Sequence, residues 1–129
     1  VEKKILLFLP RDFNTDTQQT ILSHHFSPSN IVLLDVLTFH EIYSRPNFDE
    51  EKCVAEMLAK LHVWGLQLDI PADRQFVEIG TPAYKINEFV NKFKIDLLLT
   101  TKEKSEQISK DDKFLRNRMP LLKIEYLNF

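Results

Sequence analysis

Among 129 residues, 17 Lys+Arg against 19 Asp+Glu leave a formal charge of −2, with 43% hydrophobic content, two glycines and one cysteine. This balance fits one globular domain and gives no electrostatic footprint for nucleic acid or an anionic membrane, while a lone Cys53 excludes an internal disulfide and suits a reducing, cytoplasmic setting. Gly65 and Gly80 cannot supply a G-x-G-x-x-G fingerprint, a phosphate-binding P-loop or a nucleophile elbow, and no apolar run reaches the ~20 residues of a membrane span.

Lys3 to Leu9 reads as a buried strand, because Ile5, Leu6, Leu7, Phe8 and Leu9 run without interruption to Pro10. A continuous apolar run ended by a breaker marks a strand covered on both faces, as in a parallel sheet. Asn14 or Thr15 caps a helix carrying Ile21, Leu22 and Phe26, which stops before Ser27-Pro28-Ser29-Asn30. Ile31 to Leu37 is a second apolar strand, followed by a loop from Thr38 to Asn47 with Pro46 inside it. Asn47-Phe48-Asp49-Glu50 has a capping-box spacing and opens a long helix. Val54, Met57, Leu58, Leu61 and Leu68 recur along its inner side, Trp64 falls one position off that row, and Glu51, Glu56 and Lys60 face out. Gly65, about 1 kcal/mol less favourable than alanine in a helix interior, offers a place for the helix to stop.

Gln75 to Ile79 is a short third strand, and Gly80-Thr81-Pro82 follows as turn, cap and first-turn proline. Ile86, Phe89, Val90 and Phe93 make the apolar stripe of the next helix, expected over residues 82–93. Ile95 to Thr100 is a fourth strand, Ser105 to Arg118 a polar helix anchored by Ile108, Phe114 and Leu115, and Leu121 to Leu127 a fifth strand. Strands alternating with helices predict a single α/β domain over residues 1–129: a Rossmann-like, five-stranded parallel sheet with helices on both faces.

The stretch Val77-Glu78-Ile79-Gly80-Thr81-Pro82-Ala83-Tyr84-Lys85-Ile86, followed by Ile95-Asp96-Leu97-Leu98-Leu99, resembles the universal stress protein family. There a strand ends in G-x-P-x-x-x-I, a helix follows, and an Asp-Leu-hydrophobic strand comes next. Met119-Pro120-Leu121-Leu122-Lys123-Ile124 is similar to the family's closing segment, and Lys4-Ile5-Leu6-Leu7 and Ile31-Val32-Leu33-Leu34-Asp35-Val36 fit its first two strands. The resemblance implies an adenine nucleotide alpha hydrolase-like fold.

Two departures bear on function. ATP-binding members end the first strand with an Asp, where Pro10 stands here, and carry G-x2-G-x9-G-[S/T] after the fourth strand, where Thr100-Thr101-Lys102-Glu103-Lys104-Ser105 has no glycine. Without glycine the backbone cannot closely approach a phosphate or readily adopt the positive φ such a loop needs. The chain is therefore similar to the family branch that does not bind ATP. That implies a non-catalytic stress-response module, free of cofactors, which acts through dimerisation and contacts with a protein partner. Family members place the last strand at a sheet edge and pair it across a twofold axis, so Leu122, Ile124 and Tyr126 are the expected homodimer interface.

Open α/β sheets bind ligands beyond the carboxyl ends of their strands. That rim would hold Pro10, Arg11, Asp12, Val36, Leu37, Gly80, Thr100, Thr101 and Lys102. Arg11 and Lys102 are candidates to hold an anion, or else are solvated charges beside Asp12 and Glu103. The first option gives an alternative function: a small-molecule or nucleotide sensor whose degenerate pocket is formed by Arg11, Asp12, Val36, Thr100, Thr101 and Lys102. The adjacent His24 and His25 point about 100° apart on a helix, and His40 and His62 stand at no ligand spacing, so no metal site is expected. Cys53 lies in a first helical turn, but Asp49, Glu50 and Glu51 oppose its thiolate. No nucleophile, base or metal set points to an enzyme. Residues 102–123 carry seven basic against four acidic side chains, a mixed run that reads as a solvated face or a contact for an acidic partner.

Overall fold

The computed structural model describes residues 3–11, 27–101, 104, 117–119 and 121–127. Strands β1 (Ile5–Phe8), β2 (Ile31–Leu37), β3 (Gln75–Ile79), β4 (Leu97–Thr100) and β5 (Lys123–Tyr126) form one sheet in the order β3-β2-β1-β4-β5. Every neighbouring pair is parallel. β1 lies at the centre, with Ile5 opposite Ile31 on one side and Leu97 on the other. This is the expected single-domain α/β, Rossmann-like architecture, and its strands sit where the apolar runs are. β1, β4 and β5 are shorter than those runs by two or three residues, as strand ends commonly are.

Among the described residues, one long helix packs on each face of the sheet. α1 is a short helix, Phe39–Tyr43; α2 spans Glu50–Leu68 and α3 spans Pro82–Phe93. On one face Leu61, Trp64 and Leu68 of α2 pack with Ile5, Leu7, Leu33, Leu97 and Leu99. On the other, Ala83, Ile86, Phe89 and Val90 of α3 pack with Leu6, Phe8, Val32, Leu34 and Leu98. The period of two along β1 sends Ile5 and Leu7 one way and Leu6 and Phe8 the other. Both halves of an unbroken apolar run are thus buried, which is why β1 and β2 show no hydrophobic–polar alternation.

Three local expectations are corrected. Residues 38–47 are not all loop: Thr38 caps α1, accepting the Glu41 N–H at 3.2 Å while the Glu41 carboxylate accepts the Thr38 N–H at 3.3 Å. α2 begins from Asp49, whose side chain accepts the Lys52 N–H at 3.0 Å, and it runs through Gly65 to Leu68. Trp64 is not off the buried row but completes it, because Met57, Leu61, Trp64 and Leu68 recur at steps of four, three and four.

Gly65 is a packing position. A Cβ there would lie 1.9 Å from Nε2 of Gln75, the first residue of β3, so only glycine lets that side chain lie against the helix. Gly80 has φ +151 at the turn from β3 into α3, and its N–H bonds the Leu37 carbonyl at 3.0 Å. With both glycines committed, α2 and α3 end on non-glycine residues in the left-handed region, Asp69 (φ 57) and Lys94 (φ 56). Each end closes with a six-residue bond, Ile70 N–H to Gly65 O at 2.8 Å and Ile95 N–H to Val90 O at 3.0 Å.

The helix expected around Ile21, Leu22 and Phe26 lies outside the described residues, as does nearly all of the one expected over 105–118. Among the described residues, no helix is long and apolar enough to cross a membrane.

Candidate functional site at the carboxyl ends of the strands

Alternation along β2 places Asp35 on the same side as Ile31 and Leu33, and the residue is only 2% exposed. A carboxylate so placed needs charged or hydrogen-bonded partners, since burying it alone is prohibitive. It has three. Arg11, just past the end of β1, donates from Nε to Oδ2 at 3.0 Å. The Lys104 ammonium lies 3.6 Å from Oδ1, and the Val36 N–H donates to the same oxygen at 2.9 Å.

Arg11 also reaches outward. Its Nη2 donates to the Val36 carbonyl at 3.1 Å and to Glu41 Oε1 at 3.2 Å, while Nη1 donates to Glu41 Oε2. The fork of the guanidinium therefore meets both oxygens of one carboxylate, the strongest arrangement open to this pair. Glu41 is delivered by α1, and its Oε1 also accepts the Thr38 hydroxyl at 3.1 Å. Among the described residues, Arg11 and Lys104 thus meet the carboxylates of Asp35 and Glu41 in one cluster.

Lys104 is 5% exposed, with its Nζ 4.8 Å from the centre of the Phe8 ring. Burial pushes its ammonium below the ordinary lysine range, Asp35 opposes that, and Arg11 adds to it. For Arg11, burial alone would favour loss of the proton. The Glu41 hydrogen bond and the charges of Asp35 and Glu41 more than compensate, holding the guanidinium above its usual value. Burial likewise works against the Glu41 carboxylate, but the Arg11 fork, followed by the Thr38 donors, keeps it below the ordinary carboxylate range. For Arg11 and Glu41 both shifts favour the charged forms, so each stabilises the other's ion.

Of the residues singled out at the rim, Arg11 and Val36 belong to this network. Thr100 and Thr101 are buried beside it with their hydroxyls engaged within the protein: Thr100 Oγ1 donates to the Phe8 carbonyl at 2.7 Å, and Thr101 Oγ1 accepts the Lys104 N–H at 3.2 Å. Asp12 and Lys102 lie outside the described residues. Asp35, Glu41 and Lys104 were not picked out from sequence. Asp35 carried a signal as the one charge in the run Ile31-Val32-Leu33-Leu34-Asp35-Val36-Leu37, and Glu41 carried another, standing three residues after Thr38 in capping-box spacing.

Cys53 is half-buried, with Sγ 3.8 Å from Met57 Sδ. Burial raises its thiol, Arg11 opposes this, and Glu41, Glu56 and Asp35 add to it, so the group is a poor thiolate. His40 and His62 are exposed, His62 sharing a hydrogen bond with the Gln75 amide, while His24 and His25 lie outside the described residues.

At the opposite end of the sheet, a cleft of about 270 Å³ opens between the end of α3 and the starts of β4 and β5. Val90, Ile95, Met119 and Leu122 supply its apolar wall, and Asn91, Asp96 and Arg118 its polar one.

β5 is an edge strand. Lys123 N–H bonds the Asp96 carbonyl at 3.3 Å and Leu127 N–H the Thr100 carbonyl at 2.8 Å, so alternation turns the N–H groups of Ile124 and Tyr126 away from β4. The side chains of Leu122 and Ile124 pack against the α3 side of the core, and Tyr126 is 48% exposed. No protein-family model matches the chain, and no curated protein matches it.

Proposed function

We propose that this chain is a universal stress protein-like, non-catalytic stress-response module that does not bind ATP and works by dimerising through β5 and contacting a protein partner. The observation that supports it best is the set of ion pairs at the strand ends. Where this class of sheet binds phosphates, Arg11 is committed to Asp35, Glu41 and the Val36 carbonyl, and Lys104 to Asp35. A nucleotide would have to displace existing ion pairs to reach either cation, without glycine backbone to cradle its phosphates. Titration calorimetry with Mg-ATP tests this, and no saturable heat is expected. A Kd below about 100 μM, or more than roughly 5 kcal/mol of binding, would overturn the proposal.

The dimer half of the proposal draws on the outward row of donors and acceptors at Ile124 and Tyr126, a liability that a second copy would cover. Light scattering at tens of micromolar should give about twice the 15.2 kDa chain mass. Ile124→Pro should return it to monomer, since proline there deletes an outward N–H and leaves the bonds to β4 in place. A monomer throughout, or a dimer indifferent to the proline, defeats this interface.

A further inference from the structure

We infer that Glu41 is a built-in ligand, and that beneath it lies a receptor for a small carboxylate anion formed by the fork of Arg11. Two observations carry this. The first is how Arg11 is held. Nε is fixed by Asp35 at 3.0 Å and Nη2 by the Val36 carbonyl at 3.1 Å, and neither bond involves Glu41. The plane and direction of the guanidinium are therefore set by β2, and they persist when Glu41 is removed. Such a group is preorganised, so a carboxylate arriving at it does not pay to order a flexible side chain.

The second is what occupies the fork. Glu41 offers one oxygen to Nη1 and the other to Nη2, as a free carboxylate would, and it does so from a five-residue helix. Asp35 and Lys104 are almost wholly buried, whereas the side chains of Arg11 and Glu41 are each 32% exposed. The outward half of the cluster is thus the half that solvent solutes reach. Charge points the same way, since removing Glu41 takes one negative charge from beside Arg11, which favours uptake of one monoanion. Truncating Glu41 to alanine removes Cγ and the carboxyl group, a fragment the size of acetate.

The inference rests on the strand-end cluster being closed to nucleotides in the native chain, and its test leaves that question to the Mg-ATP titration of the unaltered protein. Here the chain carrying Glu41→Ala is titrated with sodium acetate against sodium chloride at equal ionic strength, followed by thermal unfolding and calorimetry. Acetate should raise the variant's Tm saturably and bind it at least tenfold more tightly than the unaltered protein. The double variant Arg11→Ala/Glu41→Ala should lose that response. Should Glu41→Ala be unfolded in chloride, recovery of its circular dichroism in acetate, absent from the double variant, is the expected result. An acetate response equal in the unaltered protein, one that survives loss of Arg11, or none at all overturns the inference. So does a Glu41→Ala site that takes inorganic phosphate and not acetate.

Discussion

The two ends of the sheet solve the same problem by different chemistry. At the carboxyl end, ions meet: buried Asp35 with buried Lys104 and with Arg11, and the partly exposed Arg11 with Glu41. At the amino end the polar groups are neutral. Gln75, 7% exposed, donates to the Ile70 carbonyl at 3.0 Å and shares a hydrogen bond with His62, lying in the space that Gly65 leaves. An ionic cluster depends on the balance of its charges, and loss of one member strands another in low dielectric. A neutral cluster depends on shape, and it fails when the space for it is taken. The end of the sheet where ligands usually bind holds the charges, while a cleft opens at the other.

Substitutions that separate charge from shape sharpen this contrast. The largest effect is expected from Asp35→Asn, which keeps the volume and leaves Arg11 and Lys104 without their shared carboxylate. Removing one partner of a buried ion set costs about 3–5 kcal/mol, readable by urea denaturation. A loss under about 1 kcal/mol would put the cluster on a par with surface ion pairs and erase the distinction.

Next comes Gly65→Ala, which changes no charge. Its new methyl group would overlap Gln75 Nε2, and forced repacking of this kind costs about 1–3 kcal/mol. Combined with Gln75→Ala, the two losses should fall short of their sum, since the second change removes the atom that the first collides with. Strict additivity in that cycle would mean that shape is not what the amino end depends on.

The smallest effect is expected from Glu41→Gln, and it is a matter of pH. The folded-state carboxyl of Glu41 is held below its ordinary range, so its contribution is complete above the unfolded value. It is lost as pH falls through the depressed folded value. The glutamine variant should therefore lose less stability on acidification, with a difference at neutral pH of no more than about 1 kcal/mol for so exposed a pair. Acid unfolding curves of the two proteins that superimpose when scaled would show that Glu41 is not charged in the cluster.

Most of the fold is legible in the sequence because its cause is local. Ile31–Leu37, Gln75–Ile79 and Pro82–Phe93 are bounded by the breakers and caps that the residues themselves supply, and their limits agree with the structure. Gly65 misled because helix propensity says nothing about a side chain arriving from another element, and that contact outweighs the ~1 kcal/mol cost of glycine. Of the site, Arg11 and Val36 could be placed by their position at the strand ends. Asp35 and Glu41 left traces in pattern and spacing, but Lys104 meets Asp35 only once the sheet has closed, and no local pattern encodes that meeting.

The central position of β1 has a consequence for how the chain is made. Its first partner, β2, leaves the ribosome soon after it, but the bond from Thr100 to Phe8 joins residues 92 positions apart. At about 5–20 residues per second, roughly 5–20 s pass before β4 emerges to cover the other side. For that interval Ile5, Leu6, Leu7 and Phe8 present an unpaired apolar edge, the kind of surface on which nascent chains associate. Slowing synthesis anywhere between residues 38 and 97 lengthens that interval, and should lower the yield of folded protein more than slowing it after β4.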